Sequence, residues 1–212
     1  MENNFKTSAR IVFEIGKESI ENKIIALSEI IKNSYDAGAT KCDVIIHEDG
    51  ELINLFDKKI SSIEIVDNGI GMNDQDLSNN WLIIGTNNKK LLKEQNQENS
   101  LARVPVGEKG IGRFAINKIG NKVTIISKKS NESCYCLNID FNKFLDDKML
   151  EDIKIPINLY DGDKKIYTPS GTRIIIEDLN EEWNDADLKK VYTEILKLQS
   201  PFKNENDKFD IN

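Results

Sequence analysis

What is scarce in this chain narrows its chemistry before any motif is read. A single histidine, His47, and three cysteines, Cys42, Cys134 and Cys136, are too few and too scattered for a zinc centre with its usual paired ligands. An odd, sparse set of cysteines also makes no disulfide framework and fits a reducing compartment. Cys134 and Cys136 alternate within an apolar stretch, so they point to one face of a strand and read as ordinary packing residues. No apolar run approaches the ~20 residues that span a bilayer. The start, MENNFKTSAR, lacks the basic stretch and apolar core of a secretory signal, so a cytoplasmic location is expected. Positive charge is in deficit as well: 29 Lys and Arg against 36 Asp and Glu leave a net charge of -7, which argues against broad attraction to a nucleic-acid backbone and leaves room only for a local basic patch. Finally, no GxxxxGK[ST] occurs. Gly16-Lys17 is followed by Glu18 and lacks the upstream glycine, so a P-loop nucleotidase is excluded.

What is present describes one globular domain over residues 1–212, with 39% hydrophobic and 31% charged residues. Residues 1–16 read as an N-terminal arm. Ile20, Ile24, Leu27, Ile31 and Tyr35 recur at spacings of three and four and predict a long helix over 17–37, ended by Gly38 as a C-terminal cap. Glu29, Asn33 and Asp36 fall in a narrow sector opposite that stripe. Two β-like runs follow at 42–48 and 61–66 and read as neighbouring strands. A short helix is expected over 74–84. Residues 85–106, polar and rich in lysine and asparagine, read as a mobile lid. A further helix is expected from Gly110 to Ile119, strands at 122–128, 133–139 and 172–177, and a helix at 184–198. The polar tail after it has no clear stop and reads as the cut end of a longer protein.

Four segments carry candidate chemistry. In Glu29-Ile-Ile-Lys-Asn33-Ser-Tyr-Asp36-Ala37 a carboxylate and a carboxamide stand one turn apart on one helix face. A carboxylate can orient or deprotonate a water and an amide oxygen can complete the shell of Mg²⁺, although a solvated helix face shows the same pattern. Asp67-Asn-Gly69-Ile-Gly71-Met72 places a carboxylate at a strand end, able to accept from an exocyclic amine, beside glycines that let the backbone approach a flat ring; a plain strand and glycine turn is the alternative. Gly107-Glu108-Lys109-Gly110-Ile111-Gly112-Arg113-Phe114 opens a helix with successive exposed N–H groups, which suits phosphates. Gly171-Thr172 enters the strand RIIIE with a hydroxyl that can serve a base edge.

In this order the four segments resemble the motifs of the GHKL ATPases, the superfamily of gyrase, the heat-shock chaperone, histidine kinases and MutL, from about residue 5 to residue 200. ELxxNSxDA stands at 29–37, DxGxGM at 67–72, the GxxGxG lid at 107–112 and the final GT at 171–172. The resemblance implies an α/β (α+β) two-layer sandwich of the Bergerat type, with helices on one face of a mixed β-sheet and ATP and Mg²⁺ held between sheet, helices and lid. It makes Glu29 the general base and Asn33 the Mg²⁺ ligand. Asp67 takes the adenine amine, Thr172 helps through water, Gly69, Gly71 and Met72 shape the purine pocket, and Asp36 is a further nucleotide-binding residue. The lid residues Gly107, Glu108, Lys109, Gly110, Ile111, Gly112, Arg113 and Phe114 surround the phosphates, with Thr86 and Lys89 or Lys90 adding to them.

Histidine kinases usually carry Asn at the position of Glu29, and their phospho-acceptor precedes that helix, whereas His47 follows it. The glutamate therefore resembles the hydrolysing branches. Phe5-Lys-Thr-Ser-Ala-Arg10, Trp81-Leu-Ile-Ile-Gly85-Thr86 and Gly112-Arg113-Phe114 are most similar to prokaryotic MORC-like or chaperone-like members, some of which sit in phage-defence loci. The resemblance implies an ATP-dependent homodimer, a C-terminal transducer domain supplying a cation to the γ-phosphate, and a protein or nucleic-acid client. A GHKL-fold kinase and an ATP-switched binding module without hydrolysis are the competing readings.

Overall fold

The structure is a computed structural model that describes residues 4–18, 20–49, 59–84, 114–163, 166–196 and 209–212. The long helix expected over 17–37 is two helices, α1 (Arg10–Glu18) and α2 (Lys23–Asp36). Asn22 separates them: its extended backbone stops helical propagation, and its side chain accepts from the N–H groups of Ile24 and Ile25, both at 3.0 Å. Glycine closes the other end. Gly38 adopts φ +74°, and the N–H groups of Gly38 and Ala39 return to the carbonyls of Tyr35 and Ser34 at 3.0 and 3.1 Å, a Schellman pair that turns the chain directly into the sheet.

The strands are β1 (Lys41–Asp49), β2 (Lys59–Asp67), β3 (Gly120–Lys128), β4 (Cys134–Asp140), β5 (Ile157–Leu159), β6 (Gly171–Leu179) and β7 (Asp210–Ile211), in the spatial order β5-β4-β3-β6-β2-β1-β7. All neighbours are antiparallel except β7, which runs parallel to β1. The sheet is therefore mixed, as expected, and strands β1 and β2 pair as neighbours. The segment read as a helix over 74–84 is a single turn, α3 (Asp74–Asp76), that widens into a π turn at Leu77–Trp81. Of the helix expected from Gly110 to Ile119, the described part is α4 (Ala115–Ile119), and the last helix is α5 (Asp185–Leu196).

Register assigns the two sheet faces. Val44, Ile65, Ile174, Ile125 and Leu137 form one lateral row, and Ile46, Ile63, Ile176, Val123 and Ile139 the next. These side chains meet Leu27, Ile30, Ile31, Ile116 and Ile119 of α2 and α4 in one apolar cluster, so all the helix packing lies on this face. α1 docks on the same layer through Ala9 and Val12, and Ala9 donates to the Lys148 carbonyl at 2.9 Å. Thus the segment read as an arm is packed against its own chain from Thr7 onward, while Phe5 is exposed. The opposite face carries Asp43, Val66, Arg173, Ile126 and Cys136 in one row. The β5–β6 connection lies along it, with the Tyr167 hydroxyl on the Asp43 carboxylate and Asp161 facing Cys136. Cys134 and Cys136 share this face, as the alternation predicted, and Cys42 is fully buried on the other, its thiol pushed up to about 12 by burial and then by the charge of Asp67.

Lys23, at the start of α2, fastens α5. Its ammonium lies 2.8 Å from Asp187, reaches the Glu182 carbonyl and stands 5.0 Å from the centre of the Trp183 ring. Lys23 holds the Asp187 carboxyl below the usual range, so this contact stabilises above the ordinary aspartate pKa and is lost as pH falls through the lower folded value. Lys23→Ala is expected to cost about 2 kcal/mol at neutral pH, with the deficit shrinking below about pH 4; urea unfolding at the two pH values checks it.

Candidate nucleotide-binding site

A cavity of about 290 Å³ opens where the C-terminal half of α2 meets the ends of β2 and β6. It is lined by Asn33, Ser34 and Asp36 of α2, by Asp67, Gly71 and Met72 of the β2–α3 segment, by Asn80 and Trp81, and by Thr172 and Ile174 of β6. Asn33 and Asp36 of α2 are half-buried and line this cavity.

Asp67 is the charged group at the bottom. It is 4% exposed, and both carboxylate oxygens accept from the protein: Oδ1 from the Gly69 N–H and Oδ2 from the Ser34 hydroxyl, each at 2.9 Å. Burial pushes its pKa up, and the Gly69 N–H, the Ser34 hydroxyl and the Thr172 N–H oppose the shift. Thr172 sits across the strand pair from Asp67, and its hydroxyl lies 2.9 Å from that of Ser127 on β3. Ser127 also accepts from the Met72 N–H at 2.8 Å, which binds the glycine turn to the sheet. The Asn80–Trp81 side is held by a capping box between Asn73 and Asp76 and by Lys129, 2.7 Å from Asp76.

The protein-family model described as histidine kinase-, DNA gyrase B- and HSP90-like ATPase matches residues 21–172, well over half of the chain. The chain belongs to this family. Among its relatives it is 27% identical to the chaperone protein HtpG of Fusobacterium nucleatum over 95% of this chain and 34% of that protein. It is 27% identical to HtpG of Campylobacter jejuni over 82% of this chain and 30% of that protein, and 32% identical to HtpG of Borrelia garinii over 63% and 23%. The chain thus spans about a third of the length of these relatives. The mixed seven-stranded sheet with helices on one face is the Bergerat-type sandwich that the family's motifs imply.

The structure brings Asn33, Asp36, Asp67, Gly71, Met72 and Thr172 to one cavity. Gly69 stands beside it, buried in the turn, donating to Asp67 and accepting from Ser170 at 2.8 Å. Glu29 does not line the cavity. It lies one turn N-terminal to Asn33, half-buried, with its carboxylate 2.7 Å from the Lys32 ammonium. Phe114 is also placed elsewhere: it lines a neighbouring cavity of about 600 Å³ walled by Val12, Ile15, Phe141 and Phe144, because its carbonyl packs against Gly16 of α1. Thr86, Lys89, Lys90, Gly107, Glu108, Lys109, Gly110, Ile111, Gly112 and Arg113, and the lid over 85–106, lie outside the described residues. His47 is on the sheet face away from the cavity, 2.9 Å from the buried Glu64, which also holds Arg173 at 2.9 Å. Among the described residues no helix is long and apolar enough to cross a membrane.

Motif reading passed over Ser34 as a ligand of Asp67, and it missed Ser127. Both are polar residues at inward positions, Ser34 beside Ile30 and Ile31, and Ser127 two residues after Ile125, and that misplacement is the signal that finds them. The glycines serve the protein's own backbone first. Gly71 has φ +66°, and a Cβ there would overlap the Lys128 carbonyl; one on Gly171 would overlap the Asp67 carbonyl. Gly71→Ala is therefore expected to cost at least about 3 kcal/mol, from strain and overlap together, read as a fall in the urea midpoint.

Proposed function

We propose that the chain binds ATP with Mg²⁺ in the cavity between α2, β2 and β6 and hydrolyses its terminal phosphate. The observation that carries the reading is Asp67, a carboxylate nine-tenths buried at the wall of a cavity whose apolar lining includes Ile70, Met72, Trp81, Ile116 and Ile174. A buried carboxylate in such a setting suits an exocyclic amine, and the apolar walls suit the faces of a purine ring. Asp67 takes one N–H of the adenine 6-amino group and Thr172 the other. Asn33 and Asp36 mark the side of the cavity toward the phosphates.

The donor set fits Mg²⁺. Among the described residues no three His, Cys, Asp or Glu side chains come together to hold a metal, while Mg²⁺ typically keeps several waters and takes one or two protein oxygens plus substrate phosphates. The Asn33 amide oxygen supplies one such ligand, and the ion when bound neutralises phosphate charge. Glu29, leaving Lys32, takes a proton from the water whose oxygen bonds to the γ-phosphorus as the bond to the ADP oxygen breaks. Closure of the segment 85–106, ATP-dependent homodimerisation, coupling to further domains in a longer cytoplasmic protein and the MORC-like or chaperone-like placement are the finer part of the same proposal.

Calorimetric titration and phosphate release test it. Asp67→Asn is expected to weaken ATP binding at least about 100-fold, since a charge-assisted hydrogen bond is lost and the amide NH2 faces one of the two donors, the Gly69 N–H or the Ser34 hydroxyl. Glu29→Gln is expected to keep ATP binding and lose about 100-fold or more in turnover. Binding unchanged in the Asp67 variant would refute the pocket. Phosphate transfer to an acceptor in place of release favours a kinase, and tight binding with no release favours a switch.

A further inference from the structure

We infer that Ser127 is a positioning residue that fixes the polarity of the Thr172 hydroxyl, and through it the preference of the pocket for a 6-amino over a 6-oxo purine. The inference rests on the nucleotide-binding reading above. Ser127 is 0% exposed and pairs across the strands with Thr172. Its Oγ makes three contacts: 2.8 Å to the Met72 nitrogen, 3.2 Å to the Gly171 carbonyl oxygen and 2.9 Å to Thr172 Oγ1.

The direction of the third follows once the Ser127 proton is assigned to the Gly171 carbonyl. A hydroxyl has one proton and two lone pairs. Met72 N–H can only donate, so it occupies one lone pair of Ser127. The Gly171 carbonyl can only accept, so it takes the Ser127 proton. The contact to Thr172 is then made by Thr172 donating to the remaining lone pair. With its single proton committed to Ser127, Thr172 turns only lone pairs toward the cavity. Asp67, across the strand pair from Thr172, accepts at both oxygens and likewise offers lone pairs. Two acceptors side by side suit the two N–H groups of a single 6-amino group, and they repel a 6-oxo group at the same place.

Removing the Ser127 hydroxyl frees the Thr172 proton to point into the cavity and serve a carbonyl. The experiment is titration of ATP and of inosine triphosphate, which replaces the 6-amino group by oxygen, into wild type, Ser127→Ala, Ser127→Thr and Thr172→Val. Wild type is expected to prefer ATP. The ratio of the two dissociation constants is expected to fall about tenfold or more in Ser127→Ala, and to be restored in Ser127→Thr, which keeps a hydroxyl. A purely structural role for Ser127 weakens both nucleotides alike and leaves the ratio unchanged, which overturns the inference while the pocket stands. Thr172→Val keeps Ser127 bonded to Met72 and Gly171, so it carries the test even if Ser127→Ala does not fold: its ratio must also fall, and an unchanged ratio overturns the inference. Wild type binding neither nucleotide overturns the nucleotide reading and this inference together.

Discussion

The site depends on keeping one carboxylate out of water. Asp67 ends β2 inside the protein, where desolvation works against its charge. It is held by donors from three places in the chain: Ser34 on α2, Gly69 in the turn that follows, and the N–H of Thr172 on β6. Each donor imposes a condition on its own element. The helix must present Ser34 inward, the turn must fold back within two residues, and β6 must run beside β2 in the register that opposes Thr172 to Asp67. Losing any of them leaves a buried oxygen short of a partner, which costs more than the bond itself was worth. The glycines enforce the same closeness, since Gly171 packs on the Asp67 carbonyl and Gly71 on that of Lys128. Four of the elements that build the core are thus bound at one point, and the cavity is the space they leave.

The two faces of the sheet divide the work. The helix side gathers the large apolar cluster and the cavity, while the far side carries a smaller set, Val66, Ile126 and Ile175, next to the paired Glu64, Arg173 and His47. Glu64 at 1% exposure meets two potential cations at 2.9 Å, so its burial is compensated in place. Strand alternation explains why two buried acids three residues apart have such different surroundings. Glu64 and Asp67 point to opposite faces, and only Asp67 opens on the cavity.

Much of this was legible in the sequence because the motif residues answer to local geometry. A carboxylate after an apolar strand, glycines at a sharp turn, and a polar sector on a helix are spacings that the chain cannot satisfy in many ways. The strands β1 to β4 and β6 were readable for the same reason: they are long enough for alternation to appear. β5 and β7, of three and two residues, are too short to show a period and exist only through their neighbours. The break between α1 and α2 was hidden because Ile20 stays in phase with the α2 stripe although it precedes the helix; the Asn22 cap, not the apolar pattern, sets the boundary. The placement of Asn80 and Trp81 follows from a π turn, whose register shift no periodicity announces. Phe114, grouped by motif with the phosphate segment, is claimed by the packing of α1, an element the motif does not mention.

The binding half and the hydrolytic half of the proposed site are held by forces of different size. Asp67 sits in a buried set of hydrogen bonds whose disruption leaves unsatisfied groups, so it is fixed before any ligand arrives. Among the described residues, Glu29 is held by Lys32, three residues on along the same helix, with about a quarter to a third of each side chain exposed. A pair of that kind is worth no more than about 1 kcal/mol. Releasing the carboxylate toward a water therefore costs little, and the arrival of phosphate charge near α2 offers the Lys32 ammonium a competing partner. In the proposed site, the group assigned to the base is thus fixed by the fold, whereas the carboxylate proposed as general base is left to be set by what binds.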